Sequence, residues 1–161
     1  MSDQEALRLA RIAPLLRQRS LAQAAVRGYF EAHDFLEVHT PFRVAAPGTD
    51  VYIDPQPAGE QWLITSPEFH MKRLLAAGYP KVFQLARCHR RGEVGTWHQP
   101  EFTMLEWYRA SSSMADVLND TEQLLLRLAS MYTPLHDADG VHVDTLRLKH
   151  LGALRETVPS R

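Results

Sequence analysis

Apolar or small residues at Ala22, Ala25, Val26, Tyr29 and Phe30 recur at i, i+3, i+4, i+7 and i+8. That spacing lines one face of a helix and predicts one from about Ser20 to Ala32. Leu36, Val38 and Thr40 then alternate with Glu37 and His39, the pattern of a half-buried strand that Pro41 ends or places at an edge. From Phe42 to Glu60 the density of Pro and Gly marks loops, interrupted by a short extension at Val51 to Ile53. Trp62 to Thr65 reads as a strand. Ser66, Pro67 and Glu68 supply a hydroxyl cap, a first-turn proline and a carboxylate near the positive helix end. The helix they open is expected to reach Ala77, with Gly78 just beyond it.

Two further strands are predicted at Val82 to His89 and Glu101 to Tyr108, paired as an antiparallel hairpin with a long polar loop from Arg90 to Pro100. Val117, Leu118, Leu124, Leu125, Leu128 and Met131 suit an amphipathic helix from about Met114 to Tyr132. Beyond Pro134 the pattern is weak and predicts no element. The expected fold class is α+β, an antiparallel sheet flanked by helices.

Composition narrows the function classes. A chain of 161 residues with 45% hydrophobic content can bury a core. Its 18 Lys and Arg against 19 Asp and Glu leave a formal charge of -1, which supplies no field for a long run of phosphates. One cysteine, Cys88, excludes an intrachain disulfide and suits a reducing compartment, and no apolar run reaches the roughly 18 residues of a membrane span. A cytoplasmic protein is expected. Cys88 reads most simply as a packing residue. His33, His39, His70 and His89 lack a ligand spacing with a third partner, so no metal site is expected of them.

The hairpin carries the candidate chemistry. By the period of two, Phe102, Met104, Glu106 and Tyr108 share one face of the second strand. An acid, an aromatic ring and a phenol on one face can line a pocket. The ring can lie against a purine, the glutamate can hold an amine or a metal, and arginines at the loop entrance can neutralise phosphate oxygens. Periodicity alone favours ordinary core at Phe102 and Met104 and an exposed strand carboxylate at Glu106.

The stretches SPEFHMKRLLAAGYPKVFQLARCHR, Ser66 to Arg90, and HQPEFTMLEWYRA, His98 to Ala110, decide between these readings. Arg90, followed by His98, Phe102 and Glu106 at intervals of four, resembles motif 2 of class II aminoacyl-tRNA synthetases. The helix, strand and proline ending at Pro41 similarly resemble motif 1. Both long stretches resemble lysyl-tRNA synthetases and, more closely, their paralogues the elongation factor P (R)-β-lysine ligases. The resemblance covers about residues 12 to 132, a partial catalytic domain with motifs 1 and 2, and leaves 133 to 161 as an unassigned tail.

The resemblance implies activation of an amino acid by ATP with Mg2+. The carboxylate attacks the α-phosphate to give an aminoacyl adenylate and pyrophosphate, with the protein supplying position and charge. Carried over by position, Arg90 would hold the α-phosphate, Phe102 would stack on adenine, and His98 would meet the outer phosphates. Gln99 stands where the family has an Asn near the nucleotide. Ser66, Pro67 and Glu68 would bind the amino acid, Glu68 countering an ammonium, and Tyr108 would complete that pocket. Helix capping is an equally good and compatible role for Ser66 and Glu68.

This chain departs from the family in two places. Where the family reads Arg-Asn-Glu, it reads Arg90, Arg91, Gly92, Glu93. Keeping Arg90 in register leaves Arg91 and Glu93 beside the ATP site, with Glu93 expected to reach back from the loop. Nothing like motif 3 precedes Arg161, so the Mg2+ ligands are expected beyond it. On that reading the chain stops short of motif 3, and it alone is expected to show little or no β-lysine-dependent ATP–pyrophosphate exchange. Motif 1 also follows within some twenty residues of Met1, so no anticodon-binding domain is expected before it and tRNA is not expected as a partner. The reading the family implies is therefore transfer of (R)-β-lysine or lysine to a lysine of elongation factor P, by a homodimer built on the motif 1 region. Alternatives are a lysyl-tRNA synthetase fragment and a non-catalytic dimerisation or regulatory module.

Overall fold

The computed structural model describes residues 2–48 and 50–131, so Tyr132 and the 133–161 tail lie outside the described residues. The element order is α1 (Asp3–Ala32), β1 (Leu36–Glu37), β2 (Arg43–Val44), β3 (Pro57–Ala58), β4 (Gln61–Leu63), α2 (Glu68–Ala76), β5 (Lys81–His89), β6 (Glu101–Arg109) and α3 (Met114–Met131). Among the described residues they form two compact units, 2–29 with 113–131, and 30–112.

In the first unit, helix α1 starts well before the predicted Ser20. Its first turns are rich in Ala, Leu, Arg and Glu, which favour helix, and Ser2 Oγ accepts the Glu5 N–H at 3.3 Å. The helix runs through Pro14, which removes one amide donor from its ladder. The stripe that predicted it does face inward, since Ala25, Val26 and Tyr29 are buried. Helix α3 opens on a reciprocal cap, with Ser113 Oγ accepting the Asp116 N–H and Asp116 Oδ2 accepting the Ser113 N–H. The Tyr29 hydroxyl donates to Oδ1 of the buried Asp120 at 3.3 Å.

The second unit is built on the β5–β6 hairpin, antiparallel in unbroken register from Lys81↔Arg109 to His89↔Glu101. This is the hairpin the sequence predicts. The sheet around it is mixed rather than antiparallel, because β1 joins β5 in parallel through Leu36↔Val82 and Glu37↔Phe83. A parallel pair needs a long crossover, and residues 38–80 provide it. Strand β1 is also shorter than predicted. Val38 still donates to Phe83 O, but the Thr40 N–H and hydroxyl both turn to the Gln84 side-chain oxygen, at 3.2 and 3.0 Å. The side chain thus ends the ladder before Pro41 does, and Leu36 is left exposed.

Three short strands form a second sheet in the order β2-β4-β3. Two of them arise inside the stretch predicted as loop, while Val51 to Ile53 is turn and not an extension. Ala58 pairs with Gln61, so Gly59 and Glu60 make a two-residue hairpin loop, and Gly59 takes the positive φ of 68° that such loops require.

The two faces of the hairpin have different neighbours. On one, Phe30 stacks on Phe83 at 4.7 Å between centroids, meets Phe35 edge-on at 5.0 Å and lies 5.5 Å from Trp107. On the other, Val44, Ile64, Ala86 and Cys88 form a buried cluster against which Phe102 and Met104 pack.

Candidate functional site

The strand period places Glu106 and Tyr108 on the same face as Phe102 and Met104, next to the point where α2 begins. Pro67 is fully buried and stands at the N-cap of α2. Ser66 Oγ accepts the Glu68 N–H at 3.1 Å, a capping contact made from one residue before the cap, and donates to Glu106 Oε2 at 2.8 Å. The Tyr108 hydroxyl donates to Glu106 Oε1. Both oxygens of Glu106 are therefore held by neutral hydroxyls, which orient the carboxylate without cancelling its charge.

Glu68 is bound differently. Its Oε1 is ion-paired with Lys72 Nζ one helical turn on, and Lys72 stands 6.0 Å from the centroid of the Tyr108 ring. The Glu68 contact, and to a smaller degree the Glu106 charge, raise the Lys72 pKa. Tyr108 is pushed well above the ordinary phenol range, by burial first and then by its hydrogen bond to Glu106 and the charges of Glu106 and Glu68. The phenol stays protonated and remains a donor at neutral pH.

Toward the hairpin loop the site turns cationic. The Arg90 guanidinium lies 5.1 Å from the Phe102 ring centroid, its Nε donates to Thr65 O at 3.4 Å, and its Nη1 is 3.9 Å from Glu93 Oε1. Gly92, at φ 81°, makes the left-handed turn that brings Glu93 back. Cys88 lies buried between the two ends. Burial and the Glu106 charge push its thiol up to about 11 while Arg90 pulls it down, which makes it a poor nucleophile.

Ser66, Glu68 and Tyr108 thus gather at one end, and Arg90, Glu93 and Phe102 at the other. The structure does not bring the remaining three nucleotide candidates to them by side-chain contact. Arg91 turns to Asp54, its N–H donating to Asp54 O at 2.7 Å and its guanidinium 3.8 Å from the carboxylate. His98 and Gln99 are exposed on the loop. Glu106, given no role in the family carry-over, lies at the centre of the end formed by Ser66, Glu68 and Tyr108. Its sequence signals are the shared face with Phe102 and Tyr108 and its place at the end of the motif 2 spacing. Among the described residues no three His, Cys, Asp or Glu side chains stand together to hold a metal.

A carboxylate held by two hydroxyls and a guanidinium beside an aromatic ring thus stand on one α+β domain. A family model of class II tRNA synthetases (D, K and N) matches residues 5–157. The chain belongs to this family, whose members are ligase-type enzymes that activate amino acids with ATP and Mg2+. Among the described residues no helix is long and apolar enough to cross a membrane.

Proposed function

We propose that this chain is part of an enzyme that activates lysine or (R)-β-lysine as an adenylate and passes it to a lysine of elongation factor P. The observation that carries the choice of amino acid is the hydroxyl-braced Glu106 with Glu68 beside it. One carboxylate serves the ammonium common to all amino acids; a second suits a diammonium substrate over aspartate or asparagine. Arg90 would neutralise the α-phosphate as a carboxylate oxygen bonds to its phosphorus and the bond to the β-phosphate oxygen breaks, releasing pyrophosphate. The closer likeness of Ser66 to Arg90 and His98 to Ala110 to the β-lysine ligases supports elongation factor P as acceptor. So does a formal charge of -1, which gives tRNA little to hold.

Titration calorimetry with (R)-β-lysine, L-lysine, L-aspartate and L-asparagine tests the reading. The two lysines are expected to bind at least tenfold more tightly than the others. Equal or preferred binding of aspartate would sink the lysine assignment, and tight tRNA binding at physiological salt would move the acceptor from protein to tRNA. The family match itself keeps that second acceptor as the competing reading.

We further assign a homodimer interface to residues 20–41, where Leu21 and Leu36 are exposed. Such an interface would present the same patch on both subunits. Light scattering on the folded chain should give twice the monomer mass; a monomer at high concentration rules this interface out.

A further inference from the structure

At the end of β5 three successive amides are taken by three different segments. His89 donates to Ile64 O at 2.9 Å, Arg90 to Pro100 O at 2.9 Å and Arg91 to Asp54 O at 2.7 Å. The side chains alternate with them. Arg90 lies on the site face beside Phe102 and Glu93, and Arg91 falls on the opposite face in line with Arg87 and His89. That opposite face carries carboxylates of its own. Glu101 pairs with Arg87 at 2.6 Å and lies 3.4 Å from His89 Nε2, and Asp54 stands 3.8 Å from the Arg91 guanidinium. Two consecutive arginines are thus sorted to two faces. The Arg91 and Asp54 side chains are 58% and 71% exposed, so their pairing contributes little to stability. The backbone bond holds the two residues together whatever the side chains do, which leaves the carboxylate to set where the guanidinium points.

We infer that Asp54 is a positioning residue that draws Arg91 away from the site face, so that a polyphosphate at Arg90 is not held by a second, mobile guanidinium. This role rests on the reading that Arg90 receives a nucleotide phosphate. A guanidinium on a flexible stem binds any phosphate oxygen within its reach, in substrate and in released pyrophosphate alike. Such uniform binding does nothing for the chemical step and slows the departure of product. Asp54 therefore offsets the extra cation that Arg91 brings to the hairpin loop.

The test is titration calorimetry on the full chain with inorganic tripolyphosphate, ATP and adenosine at low ionic strength. Asp54→Asn keeps the size of the side chain and the backbone bond to Arg91. It should tighten tripolyphosphate and ATP by roughly threefold, the scale of one screened charge contact, and leave adenosine unchanged. Added salt should erase the gain. Asp54→Asn combined with Arg91→Gln should return both affinities to the wild-type values, a rescue that a merely structural role for Asp54 would not show. Unchanged or weaker tripolyphosphate binding in Asp54→Asn, or a gain that survives Arg91→Gln, overturns the inference. Arg90→Ala in the wild-type background tests the underlying reading separately. If it leaves tripolyphosphate and ATP binding unchanged, the phosphates do not lie at Arg90 and the role of Asp54 falls with that reading.

Discussion

Glu106→Gln should weaken lysine binding by roughly a hundredfold while leaving the fold intact. The amide keeps the size of the carboxylate and one acceptor, but it loses the charge. It also turns an NH2 donor toward either Ser66 Oγ or the Tyr108 hydroxyl, both of which donate to Glu106. A hydrogen bond to a charged group contributes about 1.5–3 kcal/mol, and truncating one partner of a desolvated charged pair costs about 2–5 kcal/mol. Each 1.4 kcal/mol is about a factor of ten, so a loss of about 2.8 kcal/mol, within both ranges, is a hundredfold. Calorimetry measures the affinity, and circular dichroism checks that the melting temperature holds. Binding within about threefold of the wild type would remove Glu106 from the ammonium site.

Phe30→Ala should be the most damaging single change to stability, at about 3–5 kcal/mol. Phe30 has no exposed surface and touches three rings, Phe35, Phe83 and Trp107, so truncation leaves a cavity that the backbone of a registered hairpin cannot close by sliding. Against a total stability of roughly 5–15 kcal/mol this is a large fraction. In urea the unfolding midpoint should fall with little change in slope. Phe42→Ala, at a residue 59% exposed, is the control and should shift the midpoint little. A loss below about 1 kcal/mol for Phe30→Ala would mean the ring cluster is not the anchor of its unit.

What the sequence made legible was local. The stripe from Ala22 to Phe30, the start of α2 after Ser66-Pro67 and the alternation through both hairpin strands are encoded in neighbouring residues, and each marks an element that forms, although α1 begins at Asp3 rather than near Ser20. What it concealed depends on contacts between distant residues. Strand β1 stops because Gln84 captures Thr40, 44 positions earlier, and no periodicity around Leu36 announces that. The parallel pairing of β1 is likewise a property of the whole crossover. Glu106 could be placed on a face with Tyr108, but its bracing by Ser66 spans 40 positions. The family carry-over gave the ammonium to Glu68, and the Glu68–Lys72 pair follows from α2 geometry that the capping argument did not consider. The return of Glu93 toward Arg90, by contrast, was expected from the sequence, and the positive φ of Gly92 is the turn that makes it.

The unbroken ladder from Lys81 to His89 carries one more consequence. Trp107, on the ring-cluster face, sits in the chain between Glu106 and Tyr108, on the site face. Adding or deleting one residue within β6 would send the indole toward the substrate and the carboxylate into the aromatic cluster, losing foundation and chemistry together. Length changes inside the strands are therefore tolerable only in pairs. Single-residue changes in length have to be absorbed between Arg90 and Pro100, the loop in which Gly92 and Glu93 accommodate this chain's departure from its family.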